Sequence, residues 1–141
     1  ALRRRGKGEK QSEECKVKEP LHKRTKEFAL RVIRLAEALP PNAVGRTIGN
    51  QILRSGTSVG ANYRSAERAR SQADFIAKIS IALEEADETM YWLELLVEAG
   101  IVTPNLLDPL IQEANEITSM LVSSAKTARS NLKKKPSTPV P

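Results

Sequence analysis

Asp74–Ala99 reads DFIAKISIALEEADETMYWLELLVEA, and the spacing of its apolar residues decides which fold the chain can adopt. Ile76, Ile79, Leu83, Ala86, Met90, Leu93 and Val97 follow one another at alternating steps of three and four, which keeps all seven on one stripe of a helix. A second row, Phe75, Ile79, Ala82, Ala86, Leu93 and Leu96, lies beside the first and shares members with it. The apolar face is therefore wider than a two-stranded seam needs, and asks for two or more neighbouring helices. At about 1.5–3 kcal/mol per fully buried large side chain, and less for the alanines, such a face contributes on the order of 10 kcal/mol, far more than helix propensity alone. This stretch is expected to be the central helix of a bundle.

The flanking punctuation supports that reading. Ser71, with Asp74 three positions later, resembles a capping box with Asp in place of Glu or Gln, and starts the helix. Gly100 supplies the left-handed residue that ends it. Thr103 then caps and Pro104 opens a further helix, in which Leu107, Leu110, Ala114, Ile117 and Leu121 again step by three and four. Upstream, Phe28, Ala29, Val32, Ile33, Leu35, Ala36 and Leu39 share one face of a first helix that Pro40 and Pro41 stop. Its other side, with Lys23, Arg24, Arg31 and Arg34 interrupted by Glu27 and Glu37, reads as a solvated face. Asn42 is the expected N-cap of a second helix, whose inner stripe carries Ile48, Ile52, Val59, Tyr63 and Ala66. The four helices are expected near 22–39, 43–70, 72–99 and 104–128, as an all-α antiparallel up-down four-helix bundle spanning residues 21–128. Residues 1–20 and 129–141 are too polar to offset the entropy of ordering, and read as disordered basic tails, the second containing three prolines.

The second helix carries Gly45, Gly49, Gly56 and Gly60 on one shoulder. Four interior glycines cost roughly 0.8–1 kcal/mol each relative to alanine, so close approach of another helix is expected to compensate; a kink near Ser55–Ser58 is the competing account. Gly49, Gly56 and Gly60 are accordingly candidates for a subunit interface, together with Tyr91 and Trp92, which fall largely off the main stripe of the central helix.

Net charge is +6 over 141 residues, unevenly placed. Residues 43–73 carry +4 and residues 74–103 carry −6. The basic half can be satisfied within one molecule, between subunits, or by polyanions. On the outward face of the second helix Arg46, Arg54, Arg64 and Arg68 share a sector, with Arg70 at its end and Glu67 opposing them. These five arginines are the candidate nucleic-acid-binding residues.

Catalysis has little support. His22, the sole histidine, sits at the start of the first helix, and Cys15, the sole cysteine, lies in the N-terminal arm, so no nucleophile–base pair has a rigid platform. Dinuclear metal bundles need Glu-x-x-His pairs on the inward faces of two helices, whereas the sole such spacing in the sequence, Glu19 to His22, spans Pro20 at the start of the first helix. The run Glu84, Glu85, Asp87 and Glu88, with Glu94 and Glu98, falls mostly off the apolar stripe and reads as a solvated or salt-bridging face. Neither a metal, a cofactor nor an enzymatic activity is expected. The absence of a signal peptide or an 18-residue apolar run makes a cytoplasmic protein without a membrane partner the expectation.

The order of segments resembles a known family. The first amphipathic helix, the stretch QILRSGTSVGANYRSAERARSQADFIAKISIALEEADETMYWLELL, the Gly-Ile-Val-Thr-Pro break and a last helix are similar to the four-helix-bundle proteins encoded in intervening sequences of bacterial 23S rRNA genes. The likeness spans roughly Phe28 to Ala128. Ser58-Val59-Gly60-Ala61-Asn62 matches the family's Ser-Ile-Pro-Ala-Asn pattern, whereas Tyr63, Arg64, Ser65 and Ala66 stand where Ile-Ala-Glu-Gly is common, so no role of that glutamate carries over. The resemblance implies a homo-oligomeric ring, a homopentamer. Through a related accessory protein of diversity-generating retroelements it also implies binding of RNA or DNA and a protein partner such as a reverse transcriptase. A structural oligomeric scaffold without a nucleic-acid role is the alternative. No sequence-specific DNA- or RNA-reading module is visible, so any such binding should be led by phosphate contacts.

Overall fold

The computed structural model describes residues 19–134. It contains four helices, α1 (Leu21–Ala38), α2 (Ala43–Glu67), α3 (Gln72–Glu98) and α4 (Pro104–Lys134), and no strand among the described residues. Each helix packs on the next through a short turn, and α4 returns to α1 to close an antiparallel bundle. The expectations for Cys15 and for most of the two basic tails fall on residues 1–18 and 135–141, outside the described residues.

The caps follow the local chemistry of the turns. Asn42 accepts from the Gly45 amide at 2.9 Å, and Ser71 accepts from the Asp74 amide at 3.0 Å, each satisfying a donor that a helix start leaves open. At the end of α3, Gly100 has φ +71°; its amide bonds the Val97 carbonyl at 3.0 Å, and the Ile101 amide bonds the Leu96 carbonyl at 3.0 Å. This is the paired closure that a left-handed C′ glycine makes possible. Two boundaries differ from the sequence reading. α2 ends at Glu67, because the Arg68 amide turns back onto Ser65 and Ala66, leaving Arg70 in the α2–α3 turn. α4 runs to Lys134, so residues 129–134 are helical and not part of a disordered tail. The apolar pattern fades after Ala128, but Lys133 and Lys134 favour the negative end of the helix dipole and the next proline in the sequence is Pro136.

On α3 the buried residues are Ile79, Ala82, Ala86, Thr89, Leu93 and Leu96. The second apolar row is thus the centre of the face, and Leu83, Met90 and Val97 of the first row flank it, half-buried. Leu93, fully buried, is accordingly a larger contributor than Leu83. Thr89 breaks the apolar row without leaving a polar atom stranded. Its Oγ1 lies 2.9 Å from Ser55 Oγ on α2 and 2.7 Å from the Glu85 carbonyl, while Ser55 Oγ donates to the Gln51 carbonyl at 2.9 Å.

The glycine shoulder of α2 is compensated inside the chain. Val32 of α1 lies against Gly56, Thr25 against Gly60, Leu39 against Gly49, and the Pro40 carbonyl sits over Gly45. Gly49 and Gly56 are buried in this way, which corrects their assignment to a subunit interface; Gly60 is half-buried against the same helix. α2 runs without interruption through Ser55–Ser58, whose hydroxyls at Ser55, Thr57 and Ser58 bond back to carbonyls four residues earlier. Two substitutions separate the close approach from simple propensity. Gly45→Ala would drive a methyl into the Pro40 carbonyl, a backbone atom, and is expected to destabilise by about 1–3 kcal/mol, as overpacking does. Gly49→Ala meets its nearest atom, a Leu39 methyl, at an ordinary 3.5 Å and should stabilise by about 0.5–1 kcal/mol through helix propensity. Urea midpoints of the two variants lying on the same side of the wild type would contradict this packing.

Arg24 does not lie on a solvated face. It is 3% exposed and reaches from α1 to α4, with Nε and Nη2 on the two oxygens of Glu113 at 2.9 Å each, Nη2 on Glu116 at 2.6 Å and Nη1 on the Met120 sulfur at 3.1 Å. Leu21, Arg24 and Phe28 step by three and four, so the inner stripe of α1 begins with a charge that only α4 can satisfy. The hydrogen bonds to Glu113 hold the guanidinium above its ordinary value, outweighing the opposing effect of burial.

Candidate nucleic-acid interface

The five candidate arginines all lie on α2 or in the turn after it, but they do not form one patch. Arg46 and Arg68 stand 22 positions apart, about 33 Å along the axis at about 1.5 Å per residue. Arg46 lines a groove at the α1–α2 turn with Pro40, Pro41 and Asn50. Arg54, midway, is spent on its own chain: Nη1 lies 3.3 Å from Glu85 Oε2, Nη2 contacts Glu88, and Gln51 stands beside it. The acidic run of α3 is therefore in part a salt-bridging face, as its position off the apolar stripe leads one to expect. Because Arg54 is half exposed, this pairing is worth on the order of 1 kcal/mol or less, and a phosphate could compete for it.

Arg64 and Arg68 are exposed and make no ion pair among the described residues. They line a cleft of about 590 Å³ between α1 and α2, joined from α1 by His22, Lys26 and Ala29. The antiparallel arrangement brings the start of α1 to the end of α2, so charges far apart in sequence meet at one end of the bundle. Glu67 is the one carboxylate there, 3.9 Å from His22 Nδ1. Tyr63 lies one residue from Arg64 on α2, and burial, with a smaller contribution from Glu67, pushes its phenol up. Arg70 is exposed in the following turn.

Lys26 is the cleft-lining cation that the sequence reading missed. Its position one turn after His22 and one turn before Ala29 puts it on the edge of α1 facing α2, a placement visible in the helical spacing only once the neighbouring helix is known.

Of the proposed interface aromatics, Tyr91 is 54% exposed, whereas Trp92 is half-buried and packs against the core of its own chain. Their rings meet edge to face at 5.1 Å, and Trp92 Nε1 is enclosed without an acceptor among the described residues. Elsewhere Leu106, 73% exposed, stands in a groove between α1 and α4 with Arg31 and Arg34. Among the described residues, no three His, Cys, Asp or Glu side chains gather as a metal site would need, and no helix is long and apolar enough to cross a membrane.

A comparison with curated proteins gives no match. Among solved structures, the chain is similar to a protein of unknown function from the S23 ribosomal protein family of Bacteroides thetaiotaomicron, at 43% identity and a TM-score of 0.73, covering 76% of this chain and 99% of that one. The model of the 23S rRNA-intervening sequence proteins matches residues 20–123, from the start of α1 well into α4 and across both helices that line the basic cleft. The chain belongs to the 23S rRNA-intervening sequence protein family.

Proposed function

We propose that this chain is a non-enzymatic, oligomeric bundle that binds RNA or DNA without sequence specificity, acting as an adaptor for a partner that processes nucleic acid, such as a reverse transcriptase. The observation that carries the reading is the convergence of Lys26, Arg64 and Arg68 on one cleft with a single opposing carboxylate, Glu67. Arginine and lysine rims of this kind neutralise phosphates, and repetition around an oligomer would add weak contacts through multivalency. Arg70 extends the same end of the bundle, and the sequence beyond the described residues carries further lysines and arginines.

Oligomerisation is supported by charge and by exposed apolar surface. Glu84, Asp87, Glu94 and Glu98 face outward on α3, while Leu106 and the adjoining groove with Arg31 and Arg34 offer an apolar, basic counterpart. A ring of five is the expected assembly, within the cytoplasm. Light scattering at micromolar concentration should give the mass of an oligomer; a monomer's mass would reject it. Titration of duplex DNA at increasing salt should give log affinity falling against log salt with a slope near −3 to −4, if about four phosphates are neutralised per patch.

A scaffold without a nucleic-acid role is the second reading, and the pairing of Arg54 with Glu85 and Glu88 favours it, since the basic and acidic halves of the chain satisfy one another there. Absence of binding at low salt would leave that reading standing.

A further inference from the structure

We propose that the α1–α2 cleft holds one nucleotide of a single strand, its base over Ala29, Gly60 and Ala61 and its phosphate on Lys26, Arg64 and Arg68. The proposal rests on the nucleic-acid reading above and narrows it to one kind of ligand.

The cleft exists because small residues face each other across two helices that are held close. Beneath it, Thr25 lies against Gly60 and Val32 against Gly56, which brings the backbones together. Above that contact Ala29 on α1, and Thr57, Gly60 and Ala61 on α2, are too short to fill the space between the helices. The resulting volume of about 590 Å³ is within the range of roughly 300–1,000 Å³ typical of small-molecule sites, and far larger than a bare phosphate requires.

The lining is polarised along its length. His22, Arg64 and Arg68 belong to the end where α1 begins and α2 finishes; Ala29, Thr57, Gly60 and Ala61 lie further in and carry no charge, and Lys26, next to the Thr25 that lies against Gly60, stands between the two groups with a side chain long enough to reach the charged end. A ligand that satisfies both halves has an anionic end joined to a neutral, largely apolar end. A phosphorylated nucleoside has that form. Duplex DNA presents phosphates but keeps its bases stacked inside, so it could use only the charged end. In a single strand the bases can be splayed out and laid on flat apolar or guanidinium surfaces, and Arg64, one turn after Gly60 on α2, lines the same cleft.

The hydroxyl chemistry agrees with a base. Thr57 Oγ1 donates its hydrogen to the Leu53 carbonyl at 2.6 Å, so it offers a ligand lone pairs and no donor. Thr25 Oγ1 is likewise committed to the Leu21 carbonyl at 2.8 Å, deeper in the wall. The neutral end therefore accepts hydrogen bonds, as the exocyclic amino groups of bases require, while the charged end donates them, as phosphate requires.

The test uses the full chain and fluorescence anisotropy with a short single-stranded oligonucleotide and a duplex of equal phosphate number. Ala61→Phe fills the neutral end without altering charge; Ala61 is exposed, so the fold should persist, with circular dichroism and light scattering as controls. Thr57→Leu is the second filling variant, from a half-buried position. The wild type should prefer the single strand, and both variants should lose about 5- to 100-fold of single-strand affinity, the range of one base–surface contact, while duplex binding is unchanged. Adenosine monophosphate should displace the strand at lower concentration than inorganic phosphate or polyglutamate. Unchanged single-strand binding in both variants would overturn the proposal, as would equal competition by inorganic phosphate or polyglutamate, which would mark a site for phosphate alone or for acidic protein. Capture of the free mononucleotide without the strand would overturn it too. Equal wild-type binding of strand and duplex would overturn the cleft assignment and spare the broader reading; binding of neither would remove both.

Discussion

Arg24→Ala is expected to destabilise the bundle by about 3–5 kcal/mol, because removing one member of a buried ion pair leaves the other charge without compensation. Glu113, 12% exposed on its side chain, would lose both bonds of a bidentate pair, and Met120 would lose the guanidinium that lies against its sulfur. Glu116, 43% exposed, can turn to water and should add little. The location magnifies the effect, since α1 and α4 are the first and last helices and this cluster spans the contact between them. Part of the loss would be packing of the arginine stem, which the double variant Arg24→Met/Glu113→Met separates from charge. With both charges gone and similar volume restored, stability should return to within about 1 kcal/mol of the wild type or exceed it. Urea unfolding at a fixed protein concentration, since any assembly would make stability concentration-dependent, measures both variants. A single variant that costs less than about 1 kcal/mol would show that α4 docks on α1 without the ion cluster.

Arg24 also shows where legibility in the sequence stopped. The helices could be read because each carries its own periodic pattern and its own punctuation: Asn42, Ser71, Gly100 and Pro104 act through atoms within four residues, and local chemistry is what a sequence displays. Partners are not local. Arg24 stands at an inward position of α1 by spacing, but its charge argued for solvent, and Glu113 and Glu116 lie some 90 residues away with nothing in between to announce the pairing. The glycine spacing of α2 likewise announced a close neighbour without naming it, and the neighbour proved to be α1 of the same chain. Thr89 interrupts an apolar row with a hydroxyl, and its partner Ser55, three residues after Ile52 and four before Val59, does the same on the inner stripe of α2, so neither reads as core until the two helices are set side by side. The arginine stripe was visible as a helical sector, which is an angular statement. Its division into a paired middle, a remote first turn and a cleft at the far end depends on axial distance and on which helix lies alongside.

Replacing Arg64 and Arg68 together by glutamine should weaken binding of duplex DNA on the order of 10- to 100-fold at about 50 mM salt, and should flatten the salt slope by about 1.8, close to 0.9 for each phosphate no longer neutralised. Both side chains are exposed and make no ion pair among the described residues, so the fold should survive the change. Arg54→Gln provides the contrast. Its guanidinium is already neutralised by Glu85 and Glu88, so a phosphate gains less from it, and its removal should alter the slope by well under one phosphate's worth. Arg46→Gln tests the opposite end of α2, about 33 Å from Arg68 at about 1.5 Å per residue, where a second, independent phosphate site would appear as a separate drop in affinity. The ranking of these variants matters more than any single value, because tails rich in lysine and arginine can bind phosphate on their own. An unchanged slope in the Arg64/Arg68 variant would transfer the phosphate binding to those tails. A slope that falls equally with Arg54→Gln would mean that phosphate displaces Glu85 and Glu88, and that the whole outward face of α2, not its final turns, meets the nucleic acid.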